Sequence, residues 1–207
     1  RNTILILLLM LNAHAMSQPT VVGEYYFNRQ EMVAGFRFSS DGKFEFFYSY
    51  GAVDRNASGT FKVEGDILKL KSDKIAGSDF TITDQSKRPG GYSLKFEHPS
   101  HYLTENILCI FIKNGKQQKE YSDSKGEVNV KMNECDTIYV QHSLYPDILT
   151  LIKDVENTNN RLTLSLNPSL EQVSFKGIDF KIVDENTLTC LPNYFMSMED
   201  IEFTRRK

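Results

Sequence analysis

The residues able to do chemistry are few, and their spacing is the first question. His98 and His101 stand three apart in His98-Pro-Ser-His101, with His142 and Asp147 far along the chain. Two imidazoles can share a metal, but a bound ion needs three or four converging donors, and a proline-bearing loop does not fix ring directions as a helix face does. With no third ligand identifiable, His98 and His101 are weak metal candidates, the expected role of these histidines is packing or solvation, and neither metal nor cofactor is expected. Ala57-Ser58-Gly59 lacks the flanking glycines of a strand-to-helix nucleophile elbow and fits a β-hairpin instead. Asp41, Asp66, Asp79 and Asp123 fall in turn signals, where an aspartate bonds its own backbone. No alternating Asp calcium loop and no phosphate-cradling glycine loop is present. The terminal Arg205-Arg-Lys207 reads as a solvated end. Cys109, Cys135 and Cys190 make an odd set, so at most one internal bridge can form. A Cys109–Cys135 disulfide is one alternative and three free thiols the other, since Cys109 lies in the apolar run Ile107 to Ile112 and Cys190 alternates with Leu188.

The aromatic residues are the feature that can bind without catalysing. Phe36 and Phe38 flank Arg37, a Ser39-Ser-Asp41-Gly42 turn follows, and Phe44, Phe46, Tyr48 and Tyr50 then share one face of a period-two strand. With Tyr25 and Phe27 nearby, these rings either line a cavity for a small apolar ligand or fill the interior as core. Phe47 points the other way and marks a candidate contact surface.

The elements that must position these residues are strands. Runs at Gly23–Asn28, Gly59–Val63, Ile67–Lys71 and Phe80–Thr83 are separated by turn signals such as Gly65-Asp66 and Gly77-Ser-Asp79, so about six strands precede Gly90-Gly91. No dozen-residue window after the first fifteen shows the three-four spacing of an amphipathic helix, and the expected class is all-β. Length, at 207 residues, allows one large domain or two small ones, and 40% hydrophobic with 25% charged residues excludes intrinsic disorder and a multi-span membrane protein. A net charge of -3 leaves no footprint for nucleic acid. Ile4 to Leu11 is an unbroken apolar run followed by Ala13-His14-Ala15, the pattern of a secretory signal peptide cleaved near Ala15. Eight apolar residues are too few for a transmembrane anchor, which places the mature chain outside the cell or in the periplasm.

Two resemblances follow from the order of the motifs. The strand and turn Ile110-Phe-Ile-Lys-Asn-Gly-Lys116, the turn Ser124-Lys-Gly126-Glu-Val128, the run Asp136 to Tyr145, and the leucine-alternating Leu162-Thr-Leu164-Ser-Leu166-Asn-Pro168 ending at Val173 resemble the carboxypeptidase regulatory-like, or transthyretin-like, β-sandwich over residues 92 to 173. That resemblance implies a module that spaces or docks a neighbour and carries no catalytic residue. Gly126 is expected at a turn position needing positive φ. Less strongly, Gly23-Glu-Tyr25, the Phe44 hairpin and Gly59 to Leu68 resemble small lipocalin-like domains over residues 16 to 91. A barrel needs about eight strands to close, so the strands of residues 174 to 207 are expected to return and complete the first module. The bland alternative packs the tail on the sandwich. The expected function is an exported, non-enzymatic binding or interaction protein of the cell envelope, with an envelope protein or a small apolar ligand as partner. The alternatives are an exported hydrolase or metal-dependent enzyme on an all-β scaffold, and a purely structural envelope subunit.

Overall fold

The computed structural model describes residues 21 to 206. Residues 1 to 15, expected from the sequence to be a signal peptide, lie outside them. Five strands come first: β1 (Gly23–Arg29), β2 (Met32–Phe38), β3 (Lys43–Tyr50), β4 (Val53–Glu64) and β5 (Ile67–Ser72). Eight follow: β6 (Phe80–Ser86), β7 (Tyr92–Glu97), β8 (Leu108–Lys113), β9 (Lys116–Tyr121), β10 (Glu127–Val130), β11 (Thr137–Gln141), β12 (Thr150–Lys153) and β13 (Arg161–Leu166). The chain ends with β14 (Asp179–Asp184), β15 (Thr187–Cys190) and β16 (Ile201–Arg205). The all-β class is as the patterning implied, and two short 3₁₀ turns at His101–Leu103 and Pro168–Glu171 are the helical content described.

The first five and last three strands close a barrel in the order β1-β16-β15-β14-β5-β4-β3-β2, every neighbour pair antiparallel. Its topology is up-and-down, with β6 to β13 interposed between its fifth and sixth strands. The strand deficit of the N-terminal half is thus met by the tail, through Tyr25 paired with Arg205 and Tyr26 with Thr204. Arg205 is therefore a barrel-strand residue, not a solvated terminus: its guanidinium donates to Val22 and Glu185 carbonyls and lies 4.9 Å from the Tyr25 ring.

Alternation makes the barrel wall. Along β3, Phe44, Phe46 and Tyr48 are buried while Lys43, Glu45 and Phe47 face solvent. Gly59 on β4 leaves no room for a side chain, because a Cβ there would sit 2.0 Å from the Lys71 carbonyl oxygen of β5. The interposed strands form two four-stranded sheets, β10-β7-β13-β6 and β12-β11-β8-β9, which share a second core of Leu94, Phe96, Phe111, Ile138, Val140 and Leu164 among others. Gly126 has φ +72° at the turn before β10, with the Phe96 carbonyl oxygen 2.8 Å from where its Cβ would lie.

The boundary between the two cores falls earlier than the sequence reading placed it. β6, read as part of the first module, pairs with β13 in the second, from Phe80↔Leu166 to Ser86↔Arg161. Conversely Val173, read as the exit of the sandwich, is fully buried in the barrel core and donates its N–H to the Asn56 carbonyl. The physical reason is register: the strand at residues 80 to 83 is the same length and pattern whichever core takes it, so local sequence does not decide its partner.

Candidate functional site

The barrel interior is filled. Phe36 lies at the centre, its ring 4.6 Å from Phe46, 5.0 Å from Phe203, and 5.2 Å from both Phe38 and Phe180. The linker leaving the second unit inserts Phe175, whose ring is 5.1 Å from Phe46 and 5.7 Å from Phe44. The β15–β16 connection adds Phe195, 5.8 Å from Phe46. Tyr25, Phe36, Phe38, Phe44 and Phe46 are each at most 3% exposed. Of the two roles left open for these five rings, cavity lining and core, their packing is that of core, because Phe175, Phe180, Phe195 and Phe203 occupy the space that the N-terminal strands alone would leave open.

Tyr48 and Tyr50 differ from the rest of that face. Both reach the barrel rim, where a cleft of about 530 Å³ lies beneath the loop between β11 and β12. Its walls are Met32, Tyr48, Tyr50, Val53, Phe195 and Met198 from the barrel side and Ser143, Leu144 and Pro146 from the loop, with Arg55 at its edge. Tyr50 is about half exposed, whereas Tyr48 is 6% exposed with its ring edge-on to Phe195 at 5.8 Å. The Tyr48 hydroxyl has no hydrogen-bond partner among the described residues. Burial raises the Tyr48 phenol pKa, with Arg55 pulling the other way.

The loop over this cleft is held from both ends. His142 is 1% exposed, and its Nδ1 accepts the N–H groups of Leu144 and Tyr145, each at 3.2 Å. That pattern fixes the tautomer, so Nε2–H donates to the Leu103 carbonyl at 2.9 Å. Burial pushes the imidazole down to about 4, which leaves it neutral at physiological pH. At the far end Arg55, on β4, donates to the Pro146 carbonyl at 2.6 Å and to the Gln172 carbonyl at 3.0 Å. The Arg55 side chain thereby ties the barrel wall to the roof loop and to the returning linker.

Next to Arg55 is a buried ion network that the sequence reading missed. The Lys74 ammonium sits 2.6 Å from an Asp79 carboxylate oxygen and 2.5 Å from one of Asp147, and donates to the Gln172 carbonyl at 2.8 Å. These three side chains are 1%, 4% and 0% exposed. Asp79, expected as a turn cap, is a buried ion-pair partner, and burial raises it to about 6 despite Lys74 alongside. Tyr194 completes the group by donating to the Ser174 carbonyl, its phenol pushed up by burial and by Asp147. Four formal charges cancel, Arg55 and Lys74 against Asp79 and Asp147, where both linkers between the cores pass.

The remaining candidates do not converge. His98 Nδ1 accepts the Ser100 N–H, and His101 is exposed at the edge of a surface depression shared with Lys95 and Lys125. Among the described residues no group of three His, Cys, Asp or Glu side chains is placed to hold a metal. Cys109, Cys135 and Cys190 are free thiols, so the Cys109–Cys135 pairing does not form; Cys135 Sγ instead donates to the Thr137 carbonyl. Phe47 is 41% exposed beside Tyr26 on the outer barrel wall, its ring lying over Gly35. One signal for Arg55 was available: it falls in phase with Ala57, Gly59 and Phe61, the inward positions of β4. Lys74 and Asp147 are far apart in sequence and had no such signal. In comparisons with known proteins, no family model, no curated protein and no solved structure matches this chain.

Proposed function

We propose that the protein is an exported, non-enzymatic binding protein of the cell envelope, and that the rim cleft, not the barrel interior, receives its ligand. The observation that carries this reading is the cleft itself: a space of about 530 Å³, within the range of small-molecule sites, walled by aromatic and thioether side chains and roofed by a loop pinned through His142 and Arg55. A solid barrel supports the same choice, because it leaves an apolar ligand no room inside. Export rests on the Ile4–Leu11 run and Ala13-His14-Ala15. In this reading the barrel is lipocalin-like and the interposed sheets are a carboxypeptidase regulatory-like sandwich whose β11–β12 loop serves as the roof; the eight-strand meander and the motif order of residues 92 to 173 support it.

Titration with the neutral fluorescent probe N-phenyl-1-naphthylamine tests the site. Leu144 is 51% exposed on the roof loop, so Leu144→Glu places a charge at the cleft with little loss of packing. Saturable binding by the wild type, weakened at least tenfold in Leu144→Glu, is the expected result. Equal affinity in both would overturn the rim cleft as the site. Intact mass of the protein from its native host tests export, which fails if residues 1 to 15 are retained.

A further inference from the structure

A closed barrel has no edge strands, but the interposed sheets do, and β9 is the barest of them. It ends its sheet, paired with β8 alone, and five of its six residues are exposed. The Asn114-Gly115 turn leading into it has φ +49° and +74°, a two-residue hairpin turn whose flanking Lys113 and Lys116 exchange backbone bonds. Past its other end the Ser122 N–H donates to the Ile107 carbonyl at 3.1 Å, and the Ser122 carbonyl accepts the Asn106 N–H at 2.9 Å. Both ends set the same phase. Lys116, Gln118 and Glu120 direct N–H and C=O towards β8, whereas Gln117, Lys119 and Tyr121 direct theirs outward, where no described residue receives them. Lys116 stands opposite Lys113, whose ammonium is taken by Glu134 and Asp136. Glu120 accepts a hydrogen bond from the Gln118 amide at 2.8 Å, and neither Lys116 nor Glu120 is in an ion pair among the described residues.

We infer that β9 is a dimer edge, pairing antiparallel with β9 of a second copy of this chain across a two-fold axis at Gln118. Phase and charge select that occupant and that register. Outward-facing residues must meet outward-facing residues for the ladder to bond, so the axis passes through a residue and not between two. An axis at Lys119 sets ammonium against ammonium, and one at Glu120 sets carboxylate against carboxylate, both unfavourable as directly opposed pairs. An axis at Gln118 sets Lys116 opposite the partner's Glu120, and Glu120 opposite the partner's Lys116. Gln117 and Lys119 then bond across the join through the backbone groups that β8 leaves unused. The same register brings Tyr121, 56% exposed, to the partner's hairpin tip at Gly115, where open space surrounds the backbone. Lysines on an edge strand ordinarily guard it against pairing. Here the four-residue spacing of Lys116 and Glu120 makes the strand complementary to itself.

Sedimentation velocity of the full chain tests the edge. The expected result is reversible dimerisation with a dissociation constant of about 100 μM, as suits a single short strand pair. Lys116→Glu alone and Glu120→Lys alone should each weaken self-association at least tenfold. An equimolar mixture of the two variants should dimerise again, because each then faces opposite charge. Lys119→Pro, which removes an outward N–H and leaves the β8 bonds in place, should abolish the dimer with little change in thermal midpoint. Gln118→Cys should cross-link to itself in air, its partner lying directly opposite at the axis. A wild type that stays monomeric at about 1 mM would overturn the inference, as would a dimer indifferent to Lys119→Pro. A dimer lost in Lys119→Pro but not recovered by mixing the two charge variants would overturn the register.

Discussion

Replacing Lys74 by methionine removes one ammonium and little else, since the unbranched stem is retained. Two carboxylates, 4% and 0% exposed, then lose a partner that stood 2.6 Å and 2.5 Å away. At an effective dielectric of about 20, each such attraction is worth roughly 4–6 kcal/mol. Part of that is recovered, because Arg55 remains near and because Asp79 can take a proton. Breaking a buried ion pair by deleting one partner typically costs about 3–5 kcal/mol, and that is the loss expected here at pH 7.5. Proton uptake then sets the pH dependence. In the wild type Asp79 is held at about 6, so it is ionised at pH 7.5; without Lys74 its pKa rises further, and the variant takes up a proton on folding over a range where the wild type does not. Each pH unit in that range is worth about 1.4 kcal/mol, so the loss should shrink by about 2 kcal/mol between pH 7.5 and pH 6. Adding Asp79→Asn to Lys74→Met restores charge balance between Arg55 and Asp147, and should recover more than half of the loss. Urea unfolding of the wild type, the single variants and the pair at both pH values gives the cycle. A Lys74→Met loss below about 1 kcal/mol, or one that does not change between the two pH values, would refute the view that this ion network carries stability at the junction.

Phe46→Ala should destabilise by about 3–5 kcal/mol in urea unfolding, because its ring is 3% exposed and packs against Phe36, Phe175 and Phe195. His142 and Asp79 oppose one another in acid. His142 is pushed down to about 4, so its share of stability is complete above its unfolded value of 6.5 and is lost as pH falls towards 4, whereas Asp79, raised from 3.8 to about 6, makes the fold more stable as pH falls through 6 to 4. Asp79→Asn removes the second effect, so the variant should lose about 3 kcal/mol between pH 6.5 and 4 while the wild type stays nearly level, as read by urea midpoints across that range. Burial raises the pKa of all three thiols, with Cys190 pushed up to about 12, so native protein at pH 8 should resist iodoacetamide and denatured, unreduced protein should take up three carbamidomethyl groups by mass spectrometry. Two unreactive cysteines in the denatured, unreduced chain would instead restore the disulfide.

The barrel wall was legible because a strand with one buried face must alternate. Phe44, Phe46 and Tyr48 declare that face, and Glu45 and Phe47 the other. Closure by the tail was legible from a count of strands, since the roughly six read before Gly90 fall short of the eight or so that such a barrel needs. The boundary between cores was not legible, because Phe80 alternates equally well beside β5 or beside β13. Nor was the solidity of the barrel: Phe175 enters it from the linker ahead of β14, outside any strand, and a ring delivered by a loop leaves no periodic trace. The rim cleft was half legible. Tyr48 and Tyr50 were visible by phase, but the roof depends on His142, Pro146 and Arg55 meeting across 91 residues of sequence between Arg55 and Pro146.

These unread elements all lie where the two cores join, and this location has a consequence for binding. The roof loop belongs to the interposed sheets, the floor belongs to the barrel, and Arg55, the one charged residue in the cleft wall among the described residues, also bonds the linker between them at Gln172. A molecule seated between Tyr48 and Leu144 therefore touches both units at once, and its binding energy adds to the ion network that already holds them together. A ligand confined to the barrel interior could not act in this way. Ligand binding should accordingly raise the stability of the Lys74→Met variant as well as that of the wild type, because the cleft walls and the Lys74 network secure the same junction through different atoms. Stabilisation of the wild type by N-phenyl-1-naphthylamine in urea, with no stabilisation of Lys74→Met at saturating probe, would show instead that the cleft exists only while the network is intact.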